Sequence, residues 1–178
     1  MRKITLFPGK LSKFVPQTTS IMKIVLIAVG KTDMRWLADG IAEYTGRISH
    51  FAPFEMVVVN DIRNTRNIDA KVQKELEGEA IMRHLMPGDD VVLLDDKGSE
   101  MTSEGLAAWL EKRMAASPRR LVFVIGGPYG FSDKVYSAAS AKVSLSRLTF
   151  PHQMVRIVFV EQLYRAFTIL KGIPYHHP

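Results

Sequence analysis

An α/β fold, a parallel sheet with helices on both faces, is predicted by three features of this 178-residue sequence. Short, near-continuous apolar runs of strand length recur along it, as Lys23–Gly30 and Leu121–Ile125 do. Between them lie segments whose apolar residues repeat at helical spacing. Glycine, proline or aspartate closes most of these runs, so strand and helix alternate without a long linker.

The elements follow in order. Lys23–Gly30 reads as a buried strand closed by glycine. Residues 33–49 place Leu37, Ile41, Tyr44 and Ile48 on one helical face. Phe54–Val59 is β-rich, and Asp61–Asn67 is polar and aperiodic, a loop. Residues 68–86 set Ile68, Val72, Leu76 and Ala80 on a second helical face, stopped by Pro87-Gly88. Val91–Leu94 is a third strand bracketed by Asp89-Asp90 and Asp95-Asp96. Thr102 or Ser103 caps a helix carrying Leu106, Trp109, Leu110 and Met114. Leu121–Ile125 is the fourth strand, Ser132 caps a short helix to about Ser140, and Val143–Phe150 is a fifth strand with polar interruptions. Pro151 opens a long helix with Val155, Val158, Phe159, Gln162, Leu163, Phe167 and Leu170, ended by Gly172 and Pro174.

Composition bounds the function. The hydrophobic content of 47% suits a soluble domain with a real core. No apolar run approaches the ~20 residues of a membrane span, and a cytoplasmic protein is expected. Cysteine is absent, which excludes disulfides and thiolate metal sites. The net charge of +6 is unevenly spread: +4 in residues 1–21, −6 in residues 22–111 and +8 in residues 112–178. The basic C-terminal part points to a polyanion partner. Residues 1–21, with Pro8, Gly9 and Pro16 and no acid, read as a disordered extension or a mis-assigned start before Met22; residues 22–178 read as one domain.

Ligands of parallel sheets bind at the carboxyl ends of strands. That rule selects Leu94–Gly98, Gly126–Gly130 and Leu148–Pro151. Gly126-Gly127-Pro128-Tyr129-Gly130 joins a buried strand to a helix, where glycine lets main chain approach a ligand. It is not GxGxxG and follows the fourth strand, which argues against a nicotinamide enzyme. Asp95-Asp96 could present carboxylates as a phosphoacceptor, but the first strand supplies no partner acids; a solvated turn is the simpler reading. Glu161 and Arg165 have the i, i+4 spacing of a helical ion pair. His152, His176 and His177 lack metal-ligand spacing, so no metal is expected.

Together these segments resemble the SPOUT-class ribosomal RNA large-subunit methyltransferase H family. The resemblance rests on Lys23–Lys31 (KIVLIAVGK), Ile125–Gly130 (IGGPYG), Leu148–Arg156 (LTFPHQMVR), Glu161–Ala166 (EQLYRA) and Tyr175-His176, and it spans 22–178. It implies a C-terminal deep trefoil knot, a homodimer, and S-adenosylmethionine as cofactor. It implies methylation of N3 of a pseudouridine in 23S rRNA, within the ribosome; a non-catalytic RNA-binding domain of the same fold is the alternative. Cofactor contacts are expected at Leu94, Gly126, Leu145, Ser146, Arg147, Leu148, Thr149 and Phe150. Arg165, Tyr175 and His176 are the expected catalytic residues, with a cation to stabilise the deprotonated base, and Arg147, Arg156 and His177 the expected RNA contacts. The chain departs from the family's usual ending: His177-Pro178 stand where a terminal Arg or Lys is common.

Overall fold

The computed structural model describes residues 22–60, 68–116 and 118–177. The expectations for residues 1–21 and for the loop at 61–67 lie outside the described residues. Ten elements alternate: β1 (Lys23–Val29), α1 (Arg35–Ile48), β2 (Phe54–Val59), α2 (Ala70–Met82), β3 (Asp90–Glu100), α3 (Ser103–Ala115), β4 (Arg120–Ile125), α4 (Asp133–Ala138), β5 (Ala141–Ser144) and α5 (Met154–Leu170). The sheet order is β2-β1-β4-β3-β5, and every pairing is parallel.

Alternation along the strands divides the core between the two faces. Ile24, Leu26, Ala28, Leu121, Phe123 and Ile125 pack with Ile41 and Ile48 of α1, Leu106 and Leu110 of α3, and Phe159, Leu163 and Phe167 of α5. Val25, Ile27, Val29, Val122 and Val124 point the other way, onto Ala80 and Ile81 of α2 and Val135 of α4. Burial on both faces explains the apolar strand runs. Among the described residues no helix is long and apolar enough to cross a membrane.

Three local expectations are corrected. The expected inner face of α2 holds only at Ala80: Val72 is 50% and Leu76 39% exposed, while Gln73, Glu77, Gly78 and Ile81 are buried with Ala80. The helix is rotated because Gly78 and Glu77 lie against the segment after β4. A Cβ on Gly78 would stand 2.1 Å from Ser132 Oγ, and one on Gly127 would stand 2.3 Å from Glu77 Oε2. Strand β3 does not stop at Leu94 but continues to Glu100, with a bulge between Leu94 and Ser99 that absorbs Asp95–Gly98. Conversely, β5 ends at Ser144 and does not reach Phe150. Ser144 Oγ donates to the Ser146 carbonyl at 3.0 Å, and Ser146 Oγ accepts from the Leu148 amide at 2.9 Å. These short polar side chains take main-chain groups that a longer strand would have paired.

Of the expected caps, Thr102 is a side-chain cap, whereas Ser132 precedes α4 without a side-chain capping bond; Asp69 was not anticipated. Thr102 Oγ1 accepts from the Gly105 amide at 3.1 Å and starts α3. Asp69 Oδ1 accepts from the Lys71 amide at 2.7 Å and starts α2. The Pro151 carbonyl accepts from the amides of Met154 and Val155 and starts α5.

Resumption of β3 after its bulge requires main chain packed on main chain. A Cβ at Gly98 would lie 2.5 Å from the Val143 carbonyl carbon and 2.6 Å from its nitrogen. Gly98→Ala is therefore expected to destabilise the fold by about 2–3 kcal/mol. Gly46→Ala, on the exposed side of α1 with nothing within 4 Å of the new Cβ, is expected to stabilise it by up to about 1 kcal/mol. Urea unfolding of both variants checks the contrast; equal effects would contradict the close approach at Gly98.

Candidate functional site

Beyond the ends of β4 and β5 and beside the β3 bulge, three segments enclose a cavity of about 420 Å³. That volume lies within the range of small-molecule sites. One wall is the bulge, with Leu94, Asp95, Asp96 and Lys97; a second is the turn Gly126–Phe131; the third runs from Val143 to Phe150, without Arg147, and ends on His152 and Val155. Gly126, Gly127 and Gly130 all lie in this lining. A Cβ at Gly126 would meet the Phe131 ring at 3.0 Å and the Gly130 carbonyl oxygen at 3.2 Å. Gly127 is tighter still, because Glu77 lies beneath it only 2% exposed, and Gln73 Nε2 donates to Glu77 Oε1 at 2.8 Å.

The polar part of the wall is fixed by one hydrogen bond. Tyr136 Oη donates to Asp95 Oδ2 at 2.6 Å, and Asp95 Oδ1 accepts from the Lys97 amide at 2.8 Å. Partial burial pushes the Asp95 carboxyl up, but these hydrogen bonds outweigh it and hold the group below its ordinary value. Burial, then the Asp95 carboxylate, pushes the Tyr136 phenol up to about 12. The wall thus presents a carboxylate beside apolar surface from Leu94, Ile125, Phe131, Val143 and Leu145. Such a lining suits a ligand that carries both positive charge and apolar groups.

Of the residues expected at the cofactor, Leu94, Gly126, Leu145, Ser146, Leu148, Thr149 and Phe150 all line the cavity. Arg147 does not: its side chain is 89% exposed, with Nε 3.8 Å from Glu100 Oε1. That position leaves it open to an external anion. Arg156, expected at RNA, is corrected. Its side chain is fully buried, with Nη2 donating to the Val29 carbonyl at 2.6 Å and Nη1 to Thr32 Oγ1 at 2.8 Å. It braces α5 against the end of β1.

Arg165, Tyr175 and His176 are brought together, but away from this cavity. Arg165 Nη2 donates to Glu161 Oε1 at 2.5 Å, which raises the guanidinium pKa. Its guanidinium carbon lies 4.8 Å from the centre of the Tyr175 ring. Tyr175 Oη donates to Glu161 Oε1 at 3.0 Å and lies 3.2 Å from Tyr44 Oη. Burial, then these two partners, raises the Tyr175 phenol above its ordinary range. His176 Nε2 is 2.6 Å from Glu104 Oε1, and its Nδ1 is 3.5 Å from Arg165 Nη1. His177 is exposed beside this cluster.

Sequence reasoning missed Tyr136, Phe131 and Glu77. The carboxyl-end rule already pointed to Asp95, and a tyrosine on α4, the helix after β4, was the available signal for its partner. No spacing announced Glu77, because its helix was read with the wrong face inward.

A family model described as predicted SPOUT methyltransferase matches residues 22–176. The ribosomal RNA large subunit methyltransferase H of Parabacteroides distasonis is 56% identical over 156 residues, which cover 88% of this chain and 99% of that protein. Proteins with the same description from Bacteroides fragilis and Phocaeicola vulgatus are 53% and 51% identical, each over 88% of this chain and 99% of its own length.

Gly127→Ala is expected to cost about 1–3 kcal/mol, because the new methyl meets the buried Glu77 carboxylate. In a Glu77→Ala background the same substitution should cost much less. A double-mutant cycle by chemical unfolding measures the coupling; strict additivity would place the strain elsewhere.

Proposed function

The chain belongs to the SPOUT methyltransferase family and is a ribosomal RNA methyltransferase; from that premise we propose that it uses S-adenosylmethionine to methylate N3 of a pseudouridine in 23S rRNA, within the assembled ribosome in the cytoplasm. One observation carries the reading. The residues that the family resemblance assigned to the cofactor converge, Arg147 apart, on one cavity at the strand ends.

The donor set fits this cofactor. Main-chain groups of the loops Gly126–Phe131 and Leu145–Phe150 would hold the adenosine, while the Tyr129 and Leu148 side chains stand exposed at the rim. The Asp95 carboxylate, fixed by Tyr136, matches a cationic ligand. When bound, S-adenosylmethionine supplies an activated methyl group. What remains for the protein is orientation of the acceptor, exclusion of water and management of the N3 proton.

That last task falls to the Arg165, Tyr175 and His176 cluster. His176 is the group suited to accept a proton, and Arg165 the cation suited to stabilise an anionic base. Within one chain the cluster does not line the cavity. We therefore place it at the cavity of a second copy in a homodimer. The C-terminal segment is read as a deep trefoil knot. In support, α5 leaves the loop after the edge strand β5 and returns to pack on α1 and α3, on the far side of β1 and β4 from α2. The exposed Arg147 and the +8 charge of residues 112–178 supply grip on phosphate.

Calorimetry with S-adenosylmethionine, followed by methyl transfer to intact ribosomes and to free rRNA, tests the reading. Binding in the micromolar range and transfer to ribosomes are expected; absence of both would overturn it. Gly126→Val and His176→Ala chains, each inactive alone, should recover activity when mixed, and failure to complement would remove the shared site. Affinity for ribosomes should fall steeply between 50 and 200 mM salt, by about tenfold or more.

A further inference from the structure

The Tyr129 side chain has no chemical role in the site described so far. It lines the cavity and is 54% exposed, a large aromatic ring at the cavity rim. Its backbone is fixed. The Gly130 amide donates to the Gly127 carbonyl at 3.2 Å, which closes a four-residue turn with Pro128 and Tyr129 at its apex. Proline locks one dihedral of that apex, and the buried Glu77 supports the turn from below. An exposed aromatic ring on a fixed turn at a cavity mouth offers a flat surface that a planar ligand can cover.

A second apolar side chain reaches the same cavity from a different loop: Leu148 is 74% exposed. Its neighbour Arg147 extends into solvent. A π-face and an aliphatic surface at the rim thus stand beside an exposed cation whose ion-pair partner is Glu100 at 3.8 Å. This combination fits a nucleotide, with the base on the apolar surfaces and the phosphate on the guanidinium. A base presented for ring methylation must leave its stack and enter the cavity, and the stacking energy it loses has to be replaced.

We propose that Tyr129 is the stacking platform for an unstacked rRNA base at the cavity mouth, with Leu148 and Arg147 completing the nucleotide site. This rests on the rRNA methyltransferase reading above. The ring acts on the acceptor and not on the methyl donor, and it needs a π-face but no hydroxyl.

The test uses the full chain and 50S-containing ribosomes. Tyr129→Ala and Tyr129→Leu should leave S-adenosylmethionine affinity within about twofold by calorimetry, and lower kcat/KM for ribosomes by about 10- to 100-fold. Tyr129→Phe and Tyr129→Trp should retain activity within about threefold. Loss of donor affinity in Tyr129→Ala, with ribosome kinetics unchanged at saturating donor, would make the ring a cofactor cover and overturn the proposal. Full activity of Tyr129→Ala, or of Tyr129→Leu, would overturn it equally. Wild-type protein that binds donor but methylates no ribosome would overturn the underlying reading as well, so the two failures are distinct.

Discussion

The buried guanidinium of Arg156 ties the first turn of α5 to the end of β1, through the Val29 carbonyl and the Thr32 hydroxyl. Residues 145–153 span the gap between β5 and α5 and carry one wall of the cavity. One end of that span is held by the pairing of β5 with β3, the other by Arg156. A loop pinned at both ends can keep a ligand-sized space open without regular structure of its own. Burial of a full positive charge is tolerated only where hydrogen bonds replace its hydration. The arginine therefore specifies one docking of α5, because alternatives would strand the charge.

The glycines do complementary work. Gly98 lets β3 lie directly on β5 beyond its bulge, and Gly127 lets the turn after β4 settle onto Glu77. Strand, turn and helix are thereby held at separations that any side chain would increase. The walls around the cavity are thus set by the close approaches at Gly98 and Gly127.

How far the sequence disclosed this arrangement depended on the physical signal involved. Strands β1 and β4 were legible because both their faces are buried and their residues are almost uniformly apolar. The cavity walls were legible from the carboxyl-end rule and from the motifs carrying the resemblance. The face of α2 was not, since Val72 and Leu76 offer a convincing apolar stripe while contacts distant in sequence, at Gly127 and Ser132, decide its rotation. The early end of β5 depended on serine side chains choosing nearby main-chain partners, a competition that composition does not reveal. Arg156 looked like a surface cation because its motif is basic, and only the packing of α5 shows the guanidinium to be interior.

The pairing of Tyr136 with Asp95 has a further consequence. With the carboxyl held low and the phenol pushed up to about 12, neither group changes protonation anywhere near neutrality. This pair keeps a constant electrical character as acidity drifts. A bend in a rate-against-acidity curve near neutrality therefore originates outside this pair.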